Sequence, residues 1–128
     1  MKLPSPRPRA RGRQGYTAKG VMNKTELKFS IRLQALKAAG EILAYHYEAL
    51  KFVVVPGLPN KRTAVHYTPD FVVQRADCEL EMIDVKGSAG WEEAARVRIR
   101  AAADRFPEFH WVGYTLTKKG DWEREEFN

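Results

Sequence analysis

A chain of 128 residues, 44% hydrophobic and 30% charged, has the size and balance of one folded domain with a modest core. It contains no apolar run near the length of a membrane span, and its N-terminus lacks the apolar segment of a signal peptide, so a cytoplasmic protein with no membrane partner is expected. A single cysteine, Cys78, excludes an intramolecular disulfide and a cysteine-based zinc cage.

The formal charge of +6 is unevenly spread. Residues 1 to 20 carry Lys2, Arg7, Arg9, Arg11, Arg13 and Lys19 and no acid, whereas the rest of the chain holds sixteen bases and sixteen acids. With Pro4, Pro6, Pro8, Gly12, Gly15 and Gly20 and no apolar face to bury, this stretch reads as a flexible basic arm preceding a single domain over residues 21–128. Arg9, Arg11 and Arg13 in such an arm suit sequence-independent contacts to phosphates; the competing reading is a leader that serves only solubility.

Asn23 or Thr25 is placed to cap a helix running to about Ala39, where Gly40 stops it. Helical spacing gives two apolar stripes, Leu27, Ile31, Ala35 and Ala38 on one side and Phe29, Leu33 and Leu36 on the other, which implies burial over much of the helix. Glu26, the one acid of this helix, stands three and seven residues before Phe29 and Leu33 and so projects from an inward stripe. Residues 42–55, rich in Tyr, Val, Leu and Phe and closed by Pro56-Gly57, read as one bent strand or two short ones. The following loop carries Lys61 and Arg62, which could reach a phosphate backbone.

Residues 65–73 read as the next strand, with His66, Thr68, Asp70 and Val72 on one face and Tyr67, Pro69, Phe71 and Val73 on the other. Pro69 has no N–H to give a ladder, so the strand is an edge or irregular there. His66 is set aside because it lies more than one strand repeat before Asp70. Residues 74–79 are short and polar, which suits a hairpin, and residues 79–86 form a third strand whose alternation puts Leu80, Met82, Asp84 and Lys86 on one face and Glu81, Ile83 and Val85 on the other. The hairpin would bring Asp70 beside Asp84 and Lys86. Trp91, Ala95, Ile99, Ala102 and Phe106 then mark a helix over residues 91–106, with Arg96 and Arg98 off its stripe; residues 109–116 read as a last strand, and the C-terminal twelve residues as at most a short edge element.

Two aspartates at one place repel unless a cation neutralises them, and carboxylate oxygens suit Mg²⁺. A charged lysine is no ligand, but it can orient a water or stabilise negative charge on a phosphate. The plain alternative is a turn at Pro69-Asp70 and a solvated Asp84–Lys86 ion pair. Taken together, Pro69-Asp70, a loop, and Asp84-Val85-Lys86 after an apolar strand resemble the signature of the PD-(D/E)xK nuclease superfamily. The order Gly40-Glu41-Ile42, Tyr67-x-Pro69-Asp70-Phe71, Asp84-Val85-Lys86-Gly87 and Phe106-Pro107-Glu108 resembles, within it, a family of small, poorly characterised phage-encoded proteins. Glu48 departs from the glutamine usual at that position of the family.

The resemblance implies an α/β fold of the α+β mixed-sheet kind, a restriction-endonuclease-like α-β-β-β-α-β core. It further implies a metal-dependent endodeoxyribonuclease in which Asp70, Asp84, the Val85 carbonyl and Glu26 hold Mg²⁺, with Mn²⁺ as a substitute, and Lys86 serves the attacking water. Arg96, Arg98, Lys61 and Arg62 would contact the backbone of DNA, the expected partner, and a homodimer is left open. A phage protein would work in the cytoplasm of a bacterial host. With little room for base-reading elements, cleavage selective for branched or single-stranded DNA is expected over sequence-specific restriction. The rival functions are a non-catalytic nucleic-acid-binding protein on the same fold and a protein-interaction module.

Overall fold

The computed structural model describes residues 20–128, and the arm arginines Arg9, Arg11 and Arg13 lie outside the described residues. The elements run α1 (Lys24–Ala38), β1 (Ile42–Tyr47), β2 (Phe52–Val55), β3 (Val65–Tyr67), β4 (Phe71–Arg75), β5 (Leu80–Lys86), α2 (Glu93–Arg105), β6 (His110–Leu116) and β7 (Trp122–Glu126). Five strands form a mixed sheet in the order β1-β4-β5-β6-β7, and β2 and β3 form a separate antiparallel pair. Only β5 and β6 are parallel, joined by the α2 crossover; β1–β4, β4–β5 and β6–β7 are antiparallel. The class is thus α+β with a mixed sheet, as expected from the sequence.

The alternation read in β5 sets the two faces of the sheet. Ile83 and Val85 join Phe71, Val73 and Val112 against Phe29 and Leu33 of α1, while Met82 joins Val72 and Trp111 against Ile99, Ala102 and Ala103 of α2. The β2–β3 pair covers the same face as α2, through Val54 and Tyr67. Trp111 is fully buried there and donates its Nε1–H to the Phe106 carbonyl at 2.8 Å, so the largest side chain of this layer leaves no donor unsatisfied.

Two expectations, for α1 and for residues 65–73, are corrected, and residues 42–55 take the second of the two readings that the sequence left open. Only the Phe29 and Leu33 stripe of α1 is buried, whereas Leu27 and Ile31 are more than half exposed, because α1 packs on a single face of a single sheet. Residues 42–55 form two strands in different sheets; the chain leaves β1 at Glu48, whose φ of 47° lies in the left-handed region. Residues 65–73 also divide: β3 stops at Tyr67, and after Thr68-Pro69-Asp70 the chain enters the main sheet at Phe71. Face assignments carried by alternation across that break therefore do not hold. Tyr67 packs on the α2 side and Phe71 on the α1 side. The C-terminal twelve residues supply a full edge strand, β7.

Candidate functional site

The register of the β4–β5 hairpin pairs Phe71 with Ile83, so the residue before β4, Asp70, falls opposite Asp84. Its backbone is held by the neighbouring strand's end, where the Glu48 N–H donates to the Asp70 carbonyl at 2.9 Å. Its side chain completes the ladder: Asp70 Oδ2 accepts the Val85 N–H at 2.8 Å, taking the place of a strand carbonyl that β4 no longer provides. Pro69, fully buried and without an N–H, is compatible with this break in the ladder.

Asp84 is buried on the α2 face, and Lys86, two residues on, places Nζ 2.9 Å from Asp84 Oδ2. The lysine also lies over the Trp91 ring at 5.1 Å. Trp91 owes its place to Gly113, which pairs with Asp84 in the parallel ladder and whose missing Cβ would fall 2.3 Å from the indole.

Glu26 arrives from α1. Asn23 and Glu26 form a capping box: the Asn23 side chain accepts the Glu26 N–H at 2.8 Å, and Glu26 Oε1 accepts the Asn23 N–H at 2.9 Å. Oε1 also accepts the Tyr47 hydroxyl at 3.0 Å, so one oxygen takes both bonds. Gly87, at the end of β5, lies against Thr25, which brings the start of α1 to the carboxylate end of that strand. Glu26 is buried behind Asp70 and is not part of the cleft wall.

These placements bring three carboxylates near one another, of which Asp84 alone is paired with a cation, Lys86, among the described residues. Asp70 is pushed well above the usual carboxylate range, first by burial, then by the charges of Asp84 and Glu26, with the Val85 N–H pulling the other way. Although Asp70 is partly open to the cleft, its carboxyl is packed closely enough for burial to lead. Tyr47 is likewise raised by burial and by Glu26.

The cleft in front of the aspartates has a volume of about 430 Å³ and is walled by β3, the end of β5 and the start of α2. Asp70, Asp84, Lys86 and Arg98 line it, together with His66, Tyr67, Thr68 and Glu92. Arg98 makes no salt bridge among the described residues. Arg96 is elsewhere: its guanidinium is paired with Glu125 on β7 at 2.6 Å and sits over Trp91 and Phe127. Lys61 and Arg62 belong to the loop between β2 and β3, where Arg62 Nε donates to the Pro56 carbonyl at 3.1 Å, and neither lines the cleft.

Several cleft residues escape the sequence reading, His66 and Tyr67 among them. Counting strand repeats to Asp70 excludes His66, but that count fails across the turn after β3. The same count places Tyr67 on the opposite face. The available signal was Pro69, which already argued that the strand does not continue.

The donor set fits a hard divalent cation. It is all oxygen, and Asp70 makes no salt bridge among the described residues. Among the described residues no group of three or more His, Cys, Asp or Glu side chains is placed to hold a metal ion, so the candidate donors are the two cleft aspartates. Mg²⁺ does not require such a group, since it is usually held by one or two carboxylates and completed by waters and substrate phosphates.

Over residues 15–120 the chain matches a family described as "Protein of unknown function", DUF1064. No curated protein and no solved structure matches it.

Proposed function

We propose, for a chain that belongs to the DUF1064 family of proteins of unknown function, the activity of a magnesium-dependent endonuclease that hydrolyses DNA phosphodiesters, selective for branched or single-stranded DNA. The observation that carries this reading is the meeting of Asp70, Asp84 and Lys86 at the wall of one cleft, with Glu26 buried behind Asp70. The PD-(D/E)xK resemblance of the same residues and the mixed sheet, with a helix on either face, support it.

Asp70 and Asp84, with the Val85 carbonyl, would hold the Mg²⁺, and Glu26 would assist from behind Asp70. When bound, the ion supplies Lewis-acid polarisation of the phosphate and lowers the cost of ionising water. The chain's own parts do the rest. Capping box and Tyr47 fix Glu26, and the Val85 N–H fixes Asp70, so two of the carboxylates are held before any ligand arrives. Lys86, positioned by Asp84 and Trp91, donates to the attacking water or to charge building on the phosphate. The water oxygen bonds to phosphorus, the bond from phosphorus to the 3′ oxygen breaks, and the proton released from water balances the one taken up by the 3′ oxygen. The products are a 5′-phosphate and a 3′-hydroxyl. Arg98, without an acidic partner among the described residues, holds the strand's phosphate at the cleft.

The test is cleavage of supercoiled plasmid and of a panel of junctions, flaps, single strands and duplexes, in Mg²⁺ and in EDTA. Cleavage in Mg²⁺ that Asp84→Asn abolishes is expected, with branched or single-stranded substrates preferred. Lys86→Ala should lower the rate roughly 100-fold with little change in DNA affinity. DNA binding without cleavage of any substrate in Mg²⁺ or Mn²⁺ would leave the chain a binding protein.

A further inference from the structure

Tyr67 carries the one buried side-chain polar atom among the described residues that has no hydrogen-bond partner, its hydroxyl oxygen. The residue is 7% exposed, lines the cleft with Asp70, Asp84 and Arg98, and packs its ring 6.1 Å from that of Trp111. Burying a hydroxyl with its hydrogen bonds unmade is costly, on the order of 1–3 kcal/mol, and a phenylalanine would keep the same ring packing without that penalty. An orphaned hydroxyl at a reactive cleft is therefore a group whose partner is the ligand. A phenol, with an ordinary pKa of about 10, is a neutral donor at neutral pH, and Asp70, Asp84 and Arg98 stand around Tyr67 at the same cleft.

We propose that the Tyr67 hydroxyl, with the Arg98 guanidinium, donates to a non-bridging oxygen of the phosphate seated in the cleft. This rests on the nuclease reading for its substrate. A neutral donor suits this position better than a second cation. It needs no counter-charge, so it adds no ion pair to Asp70 or Asp84. Since charge on the phosphate oxygens grows as the attacking oxygen approaches, the donated hydrogen bond strengthens on the way to the transition state and acts mainly on turnover.

The experiment uses the full chain and Tyr67→Phe, with Tyr45→Phe as a control on the opposite side of the sheet. Thermal melting should find Tyr67→Phe as stable as the wild type or more so, because it removes an unpartnered polar group. On the cleaved substrate, kcat should fall about 100-fold with KM changed little, and Tyr45→Phe should leave both constants as they are. Separately, thymidine 5′-monophosphate is titrated in Mg²⁺ by calorimetry, where a several-fold weaker Kd is expected for Tyr67→Phe alone. If the wild type cleaves nothing yet binds the monophosphate through Tyr67, the nuclease reading fails and the phosphate contact stands. Unchanged kcat in Tyr67→Phe overturns the inference, as does a monophosphate affinity indifferent to it. Lower stability with intact turnover would likewise overturn it, making the hydroxyl a structural group.

Discussion

At residue 70 two demands meet in one carboxyl, a strand hydrogen bond and a negative charge, and they respond differently to pH. The Val85 N–H pulls the pKa of Asp70 down, but burial and the neighbouring carboxylates outweigh it. A carboxyl whose pKa is raised on folding favours the folded state fully below its unfolded value of about 4, and that contribution is lost as pH rises through the folded value. In EDTA the protein should therefore lose stability from acid toward alkaline pH relative to Asp70→Asn, which cannot ionise. Paired thermal melts between pH 4 and 9 read the difference, and Mg²⁺ should reverse it in the wild type alone by favouring the ionised form. A constant difference between the two proteins would mean that Asp70 titrates normally. The identity of this residue was legible from Pro69-Asp70 and the later Asp84-x-Lys86, since strand alternation and a short hairpin suffice to bring them together. Its capped ladder position was not, because the Val85 bond depends on where β4 begins.

Among the elements, β6 shows how a missing side chain fixes a distant one. Gly113 lies beside Asp84 in the parallel ladder, and its open position admits the Trp91 indole, over which Lys86 rests. A methyl group 2.3 Å from an indole carbon must displace it. Gly113→Ala should cost roughly 1–3 kcal/mol by urea unfolding, as overpacking does. It should also slow cleavage by loosening Lys86. Trp91→Ala removes the main obstacle, leaving only the Phe127 ring at 3.2 Å, so Gly113→Ala should cost clearly less in that background than in the wild type; strictly additive losses would contradict the contact. The helix beginning just beyond Trp91 was readable in sequence from the Ile99 and Ala102 spacing. The demand on Gly113 was not, because no local pattern says which residue faces a parallel neighbour across the α2 crossover. The same limit explains α1: periodicity marked Leu27 and Ile31 as apolar, but only the layer arrangement decides that they face outward.

Over the whole molecule, charge divides between a basic beginning and a neutral remainder. Residues 21–128 carry equal numbers of acidic and basic side chains, so their attraction for DNA at a distance is small. Each phosphate neutralised by the arm releases counterions. A protein starting at Val21 should keep its melting temperature and metal binding but lose DNA affinity mainly at low salt, with a shallower dependence of log affinity on log salt. Equal slopes for the two proteins would place the contacts on the body, with Arg98 first among them.

The outer edge of the sheet at β7 reads Trp122-Glu123-Arg124-Glu125-Glu126. Exposed edges invite another chain to add a strand, and proteins guard them with charge. Were two copies to join antiparallel about Arg124, Glu123 of each would stand opposite Glu125 of the other, and the arginines would face one another. Like charges directly across a strand pair repel. The far edge, β1, has an irregular register between Ile42 and Ala44, which spoils it as a template for regular pairing. Both borders of the five-stranded sheet thus discourage fibril-like growth from that sheet.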